Sequence, residues 1–313
     1  MIKLNRALLA ALLLALFLFA PANPSESAGA ALRISSWKLP FNLPAMWERA
    51  NGSYDKAFPN LAVKEISLQS GPKQMAAIAA GDLDVAQGIG DAAFLVAVAG
   101  GVDARIIAAG SRSPKAFAVM TNNANIDTIA DLKGKKVAGL RGSVVHQVFV
   151  SALAEHGLKE SDVEFFPMPI PQAAATLLTG RADAALLVGS EIMRARKAGA
   201  RVLADGEGRV SGLSLVVART KFLTENPGFA GKFRALRRAT LSGIKADKNT
   251  ALTLAAKETG ASREDLAAMM DWYDFDPTLT EGDMRSLSAT LSYLLEQKMI
   301  IKPVTPDSLI WKD

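Results

Sequence analysis

The sequence predicts an α/β protein of two lobes, each a mainly parallel sheet flanked by helices, with a ligand cleft between the lobes. From Ala31 onward, short apolar strands alternate with amphipathic helices, a pattern typical of parallel sheets. The chain has 313 residues, which is enough for two ordinary domains, and half of them are apolar, which is enough for a sizeable core. One helix-to-strand pattern also occurs twice, which favours two lobes of similar topology.

Residues 1–30 resemble a secretory signal peptide. Lys3 and Arg6 precede the uninterrupted apolar run Ala7–Ala20, and the small residues Ala28–Ala30 suit a cleavage site. The alternative is a membrane anchor, but fourteen apolar residues fall short of the roughly 20 that cross a bilayer. We therefore expect an exported, periplasmic protein. Because the chain contains no cysteine to carry a lipid, we do not expect a lipoprotein.

The first set of elements consists of short apolar or alternating strands and of helices that end at glycines. Gly81 and Gly100 mark two of these ends, because glycine readily adopts the left-handed conformation that terminates helices. The predicted elements are strand Leu32–Ser35, helix Leu43–Asn51, strand Ala62–Ser67, helix Pro72–Ala80, strand Val85–Gln87, helix Asp91–Ala99, and strands Ala104–Ala109 and Ala116–Thr121.

A second set repeats this alternation, with Gly157 and Gly180 after two of its helices. Beyond Ala218 the pattern is mainly helical as far as Gln297. The predicted elements are strand Lys136–Gly139, helix Val144–His156, strand Val163–Met168, helix Gln172–Thr179, strand Ala184–Val188, helix Ser190–Lys197 and strand Leu213–Ala218.

The repeated pattern is an apolar helix, a glycine, two residues, an aspartate and a strand. It occurs in Met75–Ala86, with Asp84, and in Ala174–Ala185, with Asp183. Two unrelated helix–strand joints could look the same, but the matching order of elements favours two related lobes. The expected organisation is a signal peptide of residues 1–30, lobe 1 of residues 31–118 plus 216–313, and lobe 2 of residues 119–215.

Composition excludes several classes of function. With no cysteine and two histidines, the chain lacks the usual ligands for iron–sulfur clusters and zinc, and it cannot use a thiolate nucleophile. Its 36 Lys and Arg against 31 Asp and Glu give a formal net charge of +5 with no run of five like charges, so a nucleic-acid surface is not expected. No phosphate-binding loop, nucleophile elbow or zinc-protease motif occurs. We expect no catalysis, cofactor or metal.

Four strand-to-helix joints carry helix-capping residues: Ser70-Gly71, Gly90-Asp91, Gly142-Ser143 and Ser190-Glu191. Ligands of parallel sheets bind at the carboxyl ends of the strands, where the N–H groups of helix N-termini suit anions. Any one joint is more simply an ordinary cap. Four joints, two in each expected lobe, favour a shared polar crevice.

Three further residues are candidates for this crevice. Trp37 and Lys38 follow the first strand directly, where the indole would either stack on a ligand or pack between the lobes. His146 lies one turn into the helix after Ser143, and would face either the crevice or the sheet.

At these joints the sequence resembles the substrate-binding components of ABC importers for aliphatic sulfonates, taurine and nitrate, a group related to binders of thiamine-pyrimidine precursors. The similarity runs from Leu32 to Trp311. It is carried by LRISSWK at Leu32–Lys38, SGPKQMAAIAAGDLDVAQGIGDAAF at Ser70–Phe94, IADLKGKKVAGLRGSVVHQVFVSALAEHGL at Ile129–Leu158, RVLADGEG at Arg201–Gly208 and KMIIKPVTPDSLIW at Lys298–Trp311.

The resemblance implies the type II periplasmic-binding-protein fold, a monomer that closes like a hinge around a small ligand and docks on an inner-membrane permease. It also implies that the four joints, Trp37, Lys38 and His146 line the crevice. Three features weaken a sulfonate assignment. Val144 and Val145 replace serines of the Ser-rich joint that is common in sulfonate binders, and Val188-Gly189-Ser190 stands where these binders tend to carry Trp-Asp-Pro. Glu191 would also repel an anion if it faced inward. A neutral, aromatic or pyrimidine-type ligand, or a sensory role beside a receptor, remains an alternative.

Overall fold

A computed structural model describes residues 31–68 and 70–313, so the expected signal peptide lies outside the described residues. Within the described ranges, ten strands form two five-stranded sheets. The strands are β1 (Ala31–Ser36), β2 (Ala62–Ser67), β3 (Val85–Gly90), β4 (Ala104–Ser111), β5 (Phe117–Thr121), β6 (Lys136–Gly139), β7 (Glu164–Pro167), β8 (Ala184–Val188), β9 (Arg201–Asp205) and β10 (Ser214–Arg219).

Helices cover the sheets and fill the C-terminal third of the chain. They are α1 (Leu43–Ala50), α2 (Ser53–Ala57), α3 (Gly71–Ala80), α4 (Asp91–Ala99), α5 (Val144–Glu155), α6 (Ile170–Leu178), α7 (Ser190–Lys197), α8 (Thr220–Glu225), α9 (Phe229–Ala246), α10 (Lys248–Thr259), α11 (Arg263–Met270) and α12 (Glu281–Glu296). Short 3-10 turns occur at Pro40–Asn42, Pro114–Ala116, Ile129–Leu132, Glu160–Asp162 and Pro306–Leu309.

The two sheets share one topology, as the repeated sequence pattern predicts. Their strand orders are β2-β1-β3-β10-β4 and β7-β6-β8-β5-β9. Each sheet has one strand, β10 or β5, that runs antiparallel to both of its neighbours, while the other four strands run in the same direction. The sheets are therefore mixed, with a parallel majority. This arrangement confirms the predicted two-lobed α/β fold.

Two short connections place the carboxyl edges of the sheets opposite each other. β4 leaves its sheet at the carboxyl edge, and the antiparallel β5 enters the other sheet at its carboxyl edge, after residues 112–116. Five residues span at most about 18 Å. The chain returns in the same way through residues 206–213, between β9 and β10. The lobe boundaries expected at 118/119 and 215/216 would cut through β5 and β10. In the structure, each of these strands belongs as a whole to one sheet, and the chain crosses between the sheets before each strand begins.

The core of each sheet lies between its two helical layers. In the first sheet, Phe94 and Leu287 pack on one face, and Leu32 and Phe233 pack on the other. The C-terminal helices therefore complete the first sheet, as the sequence predicts. None of the helices in the described ranges is both long and apolar enough to cross a membrane.

The C-terminal helices also contact the second sheet's layer. Lys197 of α7 pairs with Asp265 of α11 at 2.7 Å, and the guanidinium of Arg196 lies over the ring of Trp272 at 5.6 Å. The two sheet units therefore meet at this contact as well as at the two connections.

Two elements were not predicted from the sequence, the helix α2 and the strand β9. α2 has only five residues and no strong apolar periodicity. β9 is an edge strand that pairs with β5 alone, and four of its five residues are partly exposed. Because tertiary pairing stabilises such an edge strand, its own sequence carries a weak signal.

Candidate functional site

A cavity of about 560 Å³ lies where the two carboxyl edges meet. Ligand sites are concave and commonly 300–1,000 Å³ in volume, so this cavity has the size of a small-molecule site. Its lining comes from α4, from the first turn of α5, from the connection 206–213 and from α12. The lining residues are Asp91, Val144, Gln147, Gly208, Arg209, Val210, Ser211, Gly212, Leu213, Gly282, Arg285, Ser286, Ala289 and Thr290.

Two arginines are among the lining residues, one from the connection and one from α12. Arg285 lies on α12, and its one ion pair among the described residues is a 3.7 Å contact with Glu281, whose side chain is 96% exposed. Such exposed pairs contribute little, so Arg285 can bind an anion at small cost. Arg209 lies on the connection and donates to the carbonyl of Asp205 at 2.9 Å and to Glu155 at 2.5 Å.

One carboxyl group shares the cavity with these cations. Asp91 is the first residue of α4 and is 5% exposed. It accepts hydrogen bonds from the Thr290 hydroxyl at 2.8 Å and from the backbone N–H of Ala92 at 2.7 Å. Burial raises the pKa of Asp91 to about 6, although these hydrogen bonds favour the ionised form. The carboxyl group is therefore mostly ionised at neutral pH and becomes neutral in mild acid.

Hydroxyl groups join the connection to α12. The Ser211 and Ser286 hydroxyl oxygens lie 2.7 Å apart, and both residues line the cavity. The polar Gln147 and the apolar Val210, Leu213 and Ala289 are also among the lining residues. Charged and hydroxyl groups beside apolar ones suit a small ligand with an anionic head and an apolar body.

Two of the four predicted joints form side-chain caps, those at Ser70 and Ser143. The other two helices begin after Gly90 and Gly189, which have no side chain to cap them, so the cap expected of Ser190 is wrong. Of the residues in the four joints, Asp91 alone lines the cavity. Ser143 caps α5 by accepting from the N–H of His146 at 3.3 Å, and its hydroxyl donates to the carbonyl of Leu140 at 2.7 Å. Its one hydroxyl proton is thus already used. Ser70 accepts from the N–H of Lys73 at 3.4 Å.

The glycines of these joints allow close approach or an unusual backbone conformation. Gly71 is buried, and a Cβ added there would lie 3.1 Å from that of Ala93. Gly142 has φ +74°, which favours glycine, whereas Gly90 is extended with φ −64°.

The structure places His146 against the sheet rather than along the cavity wall. Its Nε2 lies 2.7 Å from Glu160, and its ring contacts the ring of Phe165 with centroids 5.2 Å apart. Burial lowers the pKa of His146, although Glu160 opposes this effect. Glu160 thus occupies Nε2, whereas Nδ1 is buried without a hydrogen-bond partner among the described residues.

The remaining predicted residues lie outside the cavity lining. Trp37 is partly buried, and its carbonyl accepts from the side chain of Asn42 at 3.1 Å. Lys38 is exposed and lies 3.7 Å from Glu258. Ser190 is also exposed, and Glu191 pairs with Arg194 at 2.8 Å on the same helix. This pairing offsets the anion repulsion expected of Glu191.

The two valines at the Ser143 joint face different surroundings. Val144 lines the cavity, whereas Val145 is 1% exposed in the apolar core of the second sheet. Of these two departures from the serine-rich joint, Val144 alone changes the surface that a ligand would meet.

Sequence reasoning missed most of the cavity wall, including Arg209, Ser211, Arg285 and Ser286. These residues come from the return connection and from a late helix, and none lies in a motif. The glycine-rich stretch Gly206–Gly212 before β10 is the signal that could have indicated the connection. No cluster of three or more residues that could hold a metal ion occurs in the described part of the chain.

Comparison with known proteins finds a matching family and relatives that bind aliphatic sulfonates. The profile of the NMT1/THI5-like family matches residues 49–249. An aliphatic sulfonates-binding protein of Escherichia coli is 26% identical over 294 residues, which cover 92% of this chain and 91% of the relative. A Bacillus subtilis protein of the same name is 29% identical over 197 residues, 61% of this chain and 58% of the relative.

Solved structures show the same fold. The periplasmic aliphatic sulphonate-binding protein from Escherichia coli superposes with a TM-score of 0.82 at 25% identity, covering 90% of this chain and 97% of that one. An alkanesulfonate-binding protein from Xanthomonas axonopodis, bound to MOPS, gives 0.76 at 22% identity over 91% and 99%. A desulfurization enzyme gives 0.69 at 15% identity over 91% and 97%, so binding proteins and an enzyme share this fold.

Proposed function

The chain belongs to the NMT1/THI5-like family, and on that premise we propose that it is the solute-binding component of an ABC importer. It binds a small organic anion of the sulfonate, taurine or nitrate type, closes around it by a hinge motion and delivers it to an inner-membrane permease. The family membership confirms the resemblance drawn from the sequence. Support for the function comes from the names of the sulfonate-binding relatives.

One observation carries the proposal for this chain: a cavity of about 560 Å³ at the facing carboxyl edges, with Arg209 and Arg285 in its wall. Two guanidinium groups attract an anion, and their planar N–H groups match the oxygens of a sulfonate. The apolar side chains beside them accommodate an alkyl group. Binding stabilises the closed state by as much as the ligand prefers it over the open state.

The helix N-termini remain proposed contacts at the rim of this site. We propose that Trp37-Lys38, Ser70-Gly71, Gly90-Asp91, Gly142-Ser143, His146 and Ser190-Glu191 border the cleft around the cavity. Lobe 1 then holds the first sheet and the C-terminal helices, and lobe 2 holds the second sheet. The chain passes from one lobe to the other at residues 112–116 and 206–213.

We propose that the protein binds its ligand without changing it, and that it works as a periplasmic monomer released from its signal peptide. The sequence contains no cysteine that could carry a lipid or act as a thiolate nucleophile, which supports binding without catalysis and a protein free of a cysteine-linked lipid. Mass spectrometry of the exported protein should find Ala31 near the N-terminus. An uncleaved chain in the membrane fraction would contradict the localisation.

A thermal-shift panel tests the binding function. The chain from Ala31 is unfolded, refolded and melted with butanesulfonate, taurine, sulfate, nitrate, aromatic carboxylates and pyrimidines. A ligand at one hundred times its Kd stabilises the folded state by about 2.7 kcal/mol, which raises Tm by several degrees. We expect a shift with butanesulfonate or another anion of the panel. A shift with neutral compounds alone would overturn the anion assignment, and no shift at all would favour a sensory partner.

A further inference from the structure

Arg112 begins the first connection, and every N–H of its guanidinium group is used. Its Nε and Nη2 donate to the carboxylate of Asp283 at 2.7 and 2.5 Å. Its Nη1 donates to the Asp274 carboxylate and to the carbonyl of Asp276, both at 3.0 Å, and Nη2 also donates to the carbonyl of Thr278 at 2.6 Å. A guanidinium group has five N–H donors, and five bonds hold this one to the segment that leads into α12.

The backbone reinforces this attachment. Arg112 and Asp274 exchange two backbone hydrogen bonds, of 2.7 and 2.9 Å, as an isolated antiparallel bridge. Asp283 is 1% exposed and also accepts from the backbone N–H and hydroxyl of Thr280, which caps α12. Burial alone would raise the pKa of Asp283, but the bonds from Arg112 and Thr280 lower it. The pair is therefore charged at neutral pH.

The helix that Arg112 holds is a wall of the cavity. Arg285 follows Asp283 by two residues on α12, and Ser286 and Thr290, also in the cavity lining, lie about one and two helical turns after Asp283. The position of Arg285 therefore depends on how Asp283 is held. An unfavourable displacement of a charged group by about 1 Å can cost a large part of its contribution to binding.

We propose that Arg112 is a positioning residue for ligand binding: through Asp283 it fixes the first turn of α12, and with it Arg285, against the connection between the sheets. The proposal rests on the proposed function, because it takes the cavity as the ligand site. It adds a residue that lies outside the cavity lining and outside every motif of the sequence.

A double-mutant cycle separates positioning from a general contribution to stability. The variants are Arg112→Lys, Arg285→Gln and both together, titrated calorimetrically with butanesulfonate. Arg112→Lys keeps the charge but loses the forked geometry. We expect it to weaken binding by about tenfold in the wild-type background and by less than about twofold in the Arg285→Gln background, because coupled residues are not additive. Equal losses in both backgrounds would overturn the proposal.

Two further variants keep the test decisive. Arg234→Lys is the matched control, because Arg234 also binds a carbonyl, that of Ile107 at 3.0 Å, and a carboxylate, that of Asp313 at 2.5 Å, away from the cavity. It should leave Kd unchanged. Asp283→Asn replaces Arg112→Lys if the latter fails to fold, and the same non-additivity is expected. If the wild-type chain binds no compound of the panel, the proposed function fails; if it binds butanesulfonate and Arg112→Lys binds equally well, the positioning role alone fails.

Discussion

Asp84 and Asp183 occupy the same place in the two sheets, one residue before the central strands β3 and β8. Asp84 accepts from the backbone N–H of Arg33 at 3.0 Å, and Asp183 accepts from the backbone N–H of Lys136 at 3.0 Å. Each carboxylate therefore ties its strand to the neighbouring parallel strand. The repeated Gly and Asp of the sequence are thus explained by one structural role, fulfilled twice.

The two aspartates differ in burial, which predicts different effects of substitution. Asp84 is 1% exposed and pairs with Arg33 and Arg219 at 2.7 and 2.6 Å. Burial alone would raise the pKa of Asp84, but the bonds from these arginines lower it below its usual value. Asp84→Asn should lower the free energy of unfolding by about 3 kcal/mol, because it leaves two partly buried guanidinium groups without their buried partner.

The measurement is urea denaturation at neutral pH, with Asp183→Asn as the matched control. Asp183 is partly exposed and has no arginine partner among the described residues, so its loss should cost about 1 kcal/mol. Since the Asp84 pKa is lowered on folding, its advantage over Asn should fade as the pH drops below the usual Asp pKa. Equal losses at the two positions would contradict this interpretation.

At Asp91 we expect stability to depend on pH in the opposite sense to that at Asp84. Its pKa is raised to about 6 by burial, so the folded state prefers the neutral acid, and stability is lost as the pH rises through 6. The shift corresponds to about 3 kcal/mol between pH 4 and pH 8. Asp91→Asn, which stays neutral, should therefore gain in Tm relative to the wild-type chain as the pH rises. A constant difference between pH 4 and pH 8 would show that burial does not perturb this carboxyl group.

At the scale of elements, the two connections are packed against each other through glycine. The N–H of Ser113 donates to the carbonyl of Ser211 at 3.1 Å, and the Ser113 hydroxyl donates to the carbonyl of Gly212 at 3.3 Å. Gly212 has φ +59°, and a Cβ added there would lie 2.7 Å from the carbonyl oxygen of Ser113. No larger residue fits without moving one connection away from the other.

Gly212→Ala should therefore disturb the two connections more than an ordinary glycine substitution does. Gly208 is the control, because it has φ +75° but no atom within 4 Å of the added Cβ. Gly208→Ala should cost about 1 kcal/mol for the left-handed backbone alone. Gly212→Ala should cost several times as much in thermal denaturation and should also weaken binding of the anion. The same cost at both positions would mean that the connections have room to separate.

The sequence predicted most elements of the fold, since apolar runs and terminal glycines mark them locally. It did not predict β9, which is stabilised by pairing with β5. For the cavity it predicted Asp91, because that residue lies at a strand-to-helix joint. Arg209 and Arg285 belong to a connection and a late helix, and they meet in space only after both sheets have formed. The local sequence pattern around each arginine carries no information about which distant residues share a cavity with it.

At the scale of the whole molecule, the topology explains why a cavity lies between the sheets. Each sheet presents the carboxyl ends of four strands, and the two crossings require these edges to face each other. The C-terminal helices close one side through α12, and the pair Lys197–Asp265 adds a second contact between the units. A ligand held in this cavity touches both units and so favours their closed arrangement.

The central claim is that a small organic anion binds in this cavity between the facing sheets. The most direct measurement is a crystal structure of the refolded chain with butanesulfonate. We expect the sulfonate oxygens within hydrogen-bond distance of Arg285, beside the hydroxyls of Ser211 and Ser286. A sulfonate bound outside the cavity, with Arg209 and Arg285 making no contact to it, would show that the cavity is not the anion site.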